Sequence, residues 1–372
     1  MNRREALGLI AAAPFALAAA PRPRAYGDAD FARAIVIDGL GSPTDPEMKP
    51  GKFAYSPRGI AELKESGLTA VNVTVGEVGN NVDAWDATFE RMSFINAIVD
   101  ANPDLFIVAR RAADIRGAKA AGKVALIYGL QDTAMVGSDL DRLAILKGVG
   151  IRSVQLTYNL RNLSGDGALE RDNAGLSKLG RETIERIEAE KLLLDLSHGG
   201  RRTIAEAAAA AKRPLAISHT GCRALHDNPR NVDDSSMKMV ADKGGVVGIY
   251  WMPFLVANGK PNAADLVRHM DHALKVCGED HVSIGTDGGL SALVIDDAAR
   301  EQQKQFYESR AARGIAAPGE GADVFNYVHD LNSHRRFRML ADALSKSGWP
   351  AARIDKVLGA NLLRLYGEAW GA

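Results

Sequence analysis

Two consecutive apolar runs of this sequence close on the same dipeptide: "LLLDLSH" on Ser197 and His198, "PLAISHT" on Ser218 and His219. A neutral imidazole offers one nitrogen lone pair, so two of them on neighbouring strand ends can share a single divalent ion, zinc before others. A third run, "HVSIGTD", closes on Asp287, whose carboxylate could complete that set or move a proton on its own. "LTYN" adds Tyr158 and Asn159, and "NPRN" adds Arg230. A phenol can donate to a developing oxyanion, and a guanidinium fork suits a carboxylate held through two hydrogen bonds. One run stands apart. "AIVIDGLGSP" reads as a buried strand, yet past Asp38 it offers only Gly39, Leu40, Gly41 and Ser42.

Residues at the ends of so many apolar runs can act together only if a fold gathers those ends. Strand candidates cover 34–40, 68–76, 105–110, 124–130, 153–159, 192–198, 214–220, 245–251 and 281–287. Helical periodicity separates them at 83–101, 178–190, 202–212 and 263–276, with Trp85, Phe89, Met92, Ile95 and Val99 predicted to form one buried face of the first. Continuous apolar strands alternating with helices predict a parallel sheet covered on both faces. A doubly wound sheet and a (β/α)₈ TIM barrel both satisfy this. Polar residues at the C-terminal ends of many strands, about eight units in all, favour the barrel, where those ends share one mouth. The segment 292–326 predicts a charged helix and a Gly/Ala/Pro-rich loop lying over that mouth.

Composition narrows the partners. The 372 residues are 46% hydrophobic and 25% charged, enough for a large core, and Lys plus Arg equals Asp plus Glu at 46 each. That balance lacks the basic footprint of a nucleic-acid or membrane-surface binder, which leaves a small molecule as the expected partner. No phosphate-cradling glycine motif is present, so a nucleotide cofactor is not expected. Cys222 and Cys277 are too few for a disulfide framework. The first 25 residues, with Arg3 and Arg4 before an apolar stretch and small residues suited to cleavage, resemble a twin-arginine export signal. The expected arrangement is therefore a leader over 1–25, one domain over 26–372 without a membrane span, and a periplasmic location. A homo-oligomer is compatible with the sequence and not specified by it.

The segments "LLLDLSHGGRRT", "PLAISHTGCRALHDNPRNVDD", "GGVVGIYWMPF", "HVSIGTDGG" and "VLGANLLRLYGEAW" together resemble the renal (membrane) dipeptidase family, peptidase family M19, from about residue 34 to the C-terminus. The resemblance implies a (β/α)₈ barrel carrying two zinc ions and hydrolysing dipeptides with a free carboxyl end. It assigns His198 and His219 to one zinc, Arg230 to the substrate carboxylate and Asp287 to the proton shuttle. It also places Tyr158 where animal members polarise the substrate carbonyl with a histidine, beside a polar loop of Asn159, Arg161, Asn162 and Asp166. Three positions depart from the family. Leu40 replaces a zinc-ligating histidine, Ser42 a ligating aspartate, and Gln131 the glutamate that bridges both ions. A neutral amide brings no charge to offset two divalent cations. These changes predict at most one divalent ion, zinc, on His198 and His219, and no two-zinc site. Three functions stay open on residues alone: a dipeptidase-like hydrolase of a carboxylate-bearing amide, a metal-free or redox enzyme on the same pocket, and a silent binding or maturation factor. Cys222, beside His219, reads as a buried inert thiol.

Overall fold

Every apolar run named above becomes a strand in the computed structural model, which describes residues 24–79 and 83–371. The strands are β1 (Ile37–Asp38), β2 (Ala70–Thr74), β3 (Phe106–Val108), β4 (Val124–Leu130), β5 (Ile151–Gln155), β6 (Leu193–Asp195), β7 (Ala216–Thr220), β8 (Val246–Ile249) and β9 (Val282–Ile284). All pairings are parallel, in the order β1-β2-β4-β5-β6-β7-β8-β9. The ninth strand, β3, shares one edge of β4 with β5: it pairs along 124–126 and β5 takes over at 128–130. Backbone bonds close the ring between its ends, from Gly39 N to the Ile284 carbonyl at 2.9 Å and from Asp287 N to the Leu40 carbonyl at 2.8 Å. The result is a nearly closed (β/α)₈ barrel of the metal-dependent hydrolase type.

The unbroken apolarity of the strands has a direct cause, since both faces are buried. Ala70, Ala125, Ile127, Leu193, Ala216 and Val246 form one cluster with Leu362, Leu365 and Tyr366 of the C-terminal helix Asn361–Trp370. Their strand neighbours Val71, Val73, Leu126, Tyr128 and Leu194 belong to the larger cluster that includes residues of the surrounding helices. Alternation along the strand thus sorts one set of side chains inward and the next outward.

The predicted helices form at Ala84–Ala101, Lys178–Ala189, Arg201–Ala210 and Ala263–Cys277. The expected buried face of the first is corrected: of its five residues only Met92 is buried, and Trp85, Phe89, Ile95 and Val99 are partly covered. Segment 292–326 supplies the helix Asp297–Ala312, which buries none of its residues, followed by a loop. No helix among the described residues is long and apolar enough to cross a membrane. The expected export leader falls almost wholly on residues 1–23, outside the described ones.

Candidate active site

Asp195, the last residue of β6, organises the two Ser-His ends. Its buried carboxylate accepts from the backbone N–H of Ser197 and of Ser218, both at 3.0 Å, and from both serine hydroxyls. One side chain therefore pins the ends of β6 and β7 together. The β7–β8 register shifts between Ile217 and Thr220, so Ser218 and His219 sit in a bulge that re-aims the imidazole. Glycines make room for the bulged backbone. A Cβ at Gly248 or Gly285 would come within 2.0 or 2.1 Å of the Ser218 carbonyl oxygen.

The hydrogen bonds set both tautomers. Ser218 Oγ gives its proton to Asp195, so its oxygen accepts from His219 Nδ1 at 2.8 Å. Asn159 Nδ2 donates to the Ile315 carbonyl at 2.7 Å, which turns Asn159 Oδ1 toward His198 Nδ1 at 2.5 Å. Each imidazole thus carries its proton on Nδ1 and presents a bare Nε2. His219 Nε2 faces the Gln131 amide at 3.5 Å, and His198 Nε2 is buried with no partner among the described residues. The rings lie 4.9 Å apart between centroids, and Tyr158 stacks on His198 at 4.2 Å. Burial first, then the Arg230 charge, holds both histidines well below their usual range, as neutral ligands or acceptors.

Arg230 is the most unusual group nearby. It is 3% exposed, and among the described residues its guanidinium has no ion-pair or hydrogen-bond partner; the Tyr250 ring lies 6.0 Å away, and the charges of Asp287 and Glu320 act on it from farther off. Burial pulls its pKa down. A buried cation without a partner is costly to keep. It lines a cavity of about 400 Å³ together with Gln131, Tyr158, His198, Asp287 and Arg310. Burial pushes the Asp287 carboxyl up to about 6, against the pull of Arg230 and Arg310. Asp287 and His198 are two of only four described non-glycine residues with positive φ, at 54° and 62°. Such backbone strain is typical of groups held for a purpose.

Two participants were missed by sequence reasoning. Arg310, on the helix Asp297–Ala312, donates to the Tyr158 hydroxyl at 3.0 Å and forms a two-pronged pair with Glu320 at 2.6 and 2.8 Å. Its only sequence signal is a charge in the segment expected over the mouth. The Tyr158 oxygen thus accepts from Arg310, which leaves the phenolic proton free to point into the cavity.

Several expectations are corrected. Asn159 does not face substrate: both ends of its amide are spent on His198 and Ile315, so it positions the histidine. The loop of Arg161, Asn162 and Asp166 bonds to itself and to the scaffold, with Arg161 on Asp166 at 2.6 Å and Asn162 on Asp132 at 2.7 Å. Asp38 turns away from the mouth and accepts from Thr286 N and Oγ1 at 2.7 and 2.6 Å, tying β1 to the end of β9. Asp287 does not complete a ligand set, since no cluster of three His, Cys, Asp or Glu suited to a metal occurs among the described residues. Cys222 is fully buried, with its Sγ donating to the His269 carbonyl and its pKa raised by burial, as an inert thiol should be. The two neutral imidazoles would suit a divalent ion, the orphaned His198 Nε2 being the clearest sign, with the Gln131 amide beside them.

The sequence profile described as "Membrane dipeptidase (Peptidase family M19)" matches residues 54–300. Among solved structures the chain is similar to an amidohydrolase from Pseudomonas aeruginosa, 30% identical, covering 92% of this chain and 99% of that one with a TM-score of 0.78. It is 25% identical over 299 residues to an uncharacterized protein encoded in the pqqA 5' region of Klebsiella pneumoniae, covering 77% of this chain and 98% of that protein. It is also 28% identical over 287 residues to the dipeptidase tcpJ of Claviceps purpurea, covering 76% of this chain and 59% of the fungal protein's length. The barrel, the paired Ser-His strand ends and the extent of the profile match agree: this chain belongs to peptidase family M19, the membrane dipeptidases.

Proposed function

We propose that the protein is an exported hydrolase that cleaves an amide bond in a small, peptide-like substrate carrying a free carboxylate. The observation that carries this reading is the buried Arg230, without an ion-pair or hydrogen-bond partner among the described residues, in the same cavity as Asp287, Tyr158 and His198. Arg230 binds the substrate carboxylate through two charge-assisted hydrogen bonds, and that carboxylate supplies the paired counter-charge that no described side chain gives it. Tyr158, its oxygen engaged by Arg310, donates its phenolic hydrogen to the scissile carbonyl and to the oxyanion that develops there. Asp287 takes a proton from the attacking water and returns it to the departing amine, so water ends as the new carboxyl oxygen and the amine leaves neutral. A carboxyl poised near 6 is suited to both transfers.

His198 and His219 would hold at most one divalent ion, zinc by the character of two imidazoles. When bound, such an ion supplies Lewis acidity to water and carbonyl. No second ion is proposed, because Leu40 brings no donor and neither Ser42 nor Gln131 brings a charge. Export rests on the twin-arginine-like leader; replacing Arg3 and Arg4 by lysine should leave the protein in the cytoplasm on cell fractionation.

The test of the chemistry is a matched panel of dipeptides and N-acyl amino acids offered either as free acids or as carboxamides. Turnover should be confined to the free acids and fall at least a hundredfold in Asp287→Asn. Equal turnover of acid and carboxamide would sink the reading.

A further inference from the structure

The founding strand end that lost its ligands is not empty space. It opens a second cavity of about 880 Å³, twice the size of the one holding Arg230. Thr74, Glu77, Arg91, Asp287 and Phe306 line both, so the two adjoin at the carboxylate that would move the proton. The walls of the larger one are apolar: Leu40, Val73, Phe94, Ile95, Phe106 and Leu126. Three of its five charged lining groups, Asp45, Arg91 and Glu77, are already engaged, and Glu90 and Asp287 are the other two. Asp45 accepts from Ser56 N and Oγ, Arg91 Nε donates to the Thr74 carbonyl at 3.0 Å, and Glu77 pairs with Arg313 at 3.2 Å. Leu40, which stands where the resemblance calls for a zinc-ligating histidine, contributes directly to this wall.

We propose that this chamber binds the apolar arm of the substrate, and that the preferred substrates are amino acids N-acylated by a long or bulky hydrocarbon group. This rests on the carboxylate-anchored amide hydrolysis above and specifies its substrate class. With the amino-acid carboxylate on Arg230 and the scissile amide beside Asp287, the acyl group is directed into the adjoining apolar space. Its volume lies within the range of ligand pockets that enclose most of their occupant. Polar dipeptides would leave that space filled only with water and gain nothing from it.

The test measures binding, independently of turnover. N-acetylglycine and N-decanoylglycine share the carboxylate and differ only in chain length. Calorimetry with the whole protein should show the decanoyl compound binding at least thirtyfold more tightly. Ala87→Trp, which fills the chamber, and Phe94→Ser, at a half-exposed wall position where folding is not at stake, should each cut that ratio at least fivefold. Both should leave N-acetylglycine within twofold. Arg230→Met should weaken both ligands equally and preserve their ratio, so a failed anchor and a failed chamber give different patterns. Equal affinities in the unmodified protein, or a ratio unmoved by both wall variants, would overturn the proposal.

Discussion

Replacing Arg230 by methionine should make the empty protein more stable while removing its affinity for carboxylates. Methionine keeps most of the apolar stem that arginine packs with, and removes the charge. Desolvating an ion costs several kcal/mol even after relaxation, and here it is offset only in part, by the Tyr250 ring, a cation–π contact worth roughly 1–2 kcal/mol at a desolvated site, and by Asp287 and Glu320, whose charges act on it without forming an ion pair. The net gain on removing the charge should be about 2 kcal/mol. With an unfolding entropy of ~2.1 cal/mol/K per residue over roughly 350 residues, that is a rise of about 3 °C in the unfolding midpoint. Binding should move the other way. Two charge-assisted hydrogen bonds at about 1.5–3 kcal/mol each account for a loss of at least a hundredfold in affinity for an N-acyl amino acid. Calorimetric unfolding without ligand and titration with N-acetylglycine read the two effects on the same preparations. A variant that unfolds several degrees lower without ligand and still binds as tightly would refute the idea that Arg230 is kept unpaired for a substrate anion.

The pH profile tests Asp287. Because the reaction needs its carboxylate, kcat/KM should fall tenfold per unit below about 6 and be flat above it, and Asp287→Asn should abolish the profile with the activity. The stability sign is opposite: a carboxyl raised in the folded state favours the fold at low pH, and this contribution is lost as pH rises from about 4 to about 6, so Asp287→Asn should unfold at a higher temperature than the parent at pH 7. For the metal, elemental analysis after metal-replete purification should find at most one ion per chain, removable by dialysis against a chelator. His198→Ala or His219→Ala should weaken its retention and Ser42→Ala should not, whereas two tightly held zincs would contradict the reading of Leu40, Ser42 and Gln131.

The barrel was legible in the sequence because strands buried on both faces must be apolar throughout, and helices between them must be amphipathic. Both patterns are local and periodic. Family membership was legible too, in ordered motifs around His198, His219, Arg230 and Asp287. The departures at Leu40, Ser42 and Gln131 from the family's ligand pattern could be read from residue types alone, since a leucine at position 40 cannot donate wherever it points. What side chains do with their hydrogen bonds was not legible. Asn159 and Tyr158 are neighbours in one motif, yet the first is consumed in fixing the His198 tautomer and the second faces the cavity, because only the folded chain brings Ile315 and Arg310 against them. Asp38 and Asp287 both end or follow strands that meet at the barrel seam, but Thr286 lies close enough to claim the first and leave the second free. Tertiary structure alone decided that Arg230 is buried without an ion-pair partner among the described residues and that the strand end at Leu40 borders a large, mostly apolar chamber. Pairing and enclosure depend on residues hundreds of positions apart, and no spacing along the chain encodes them.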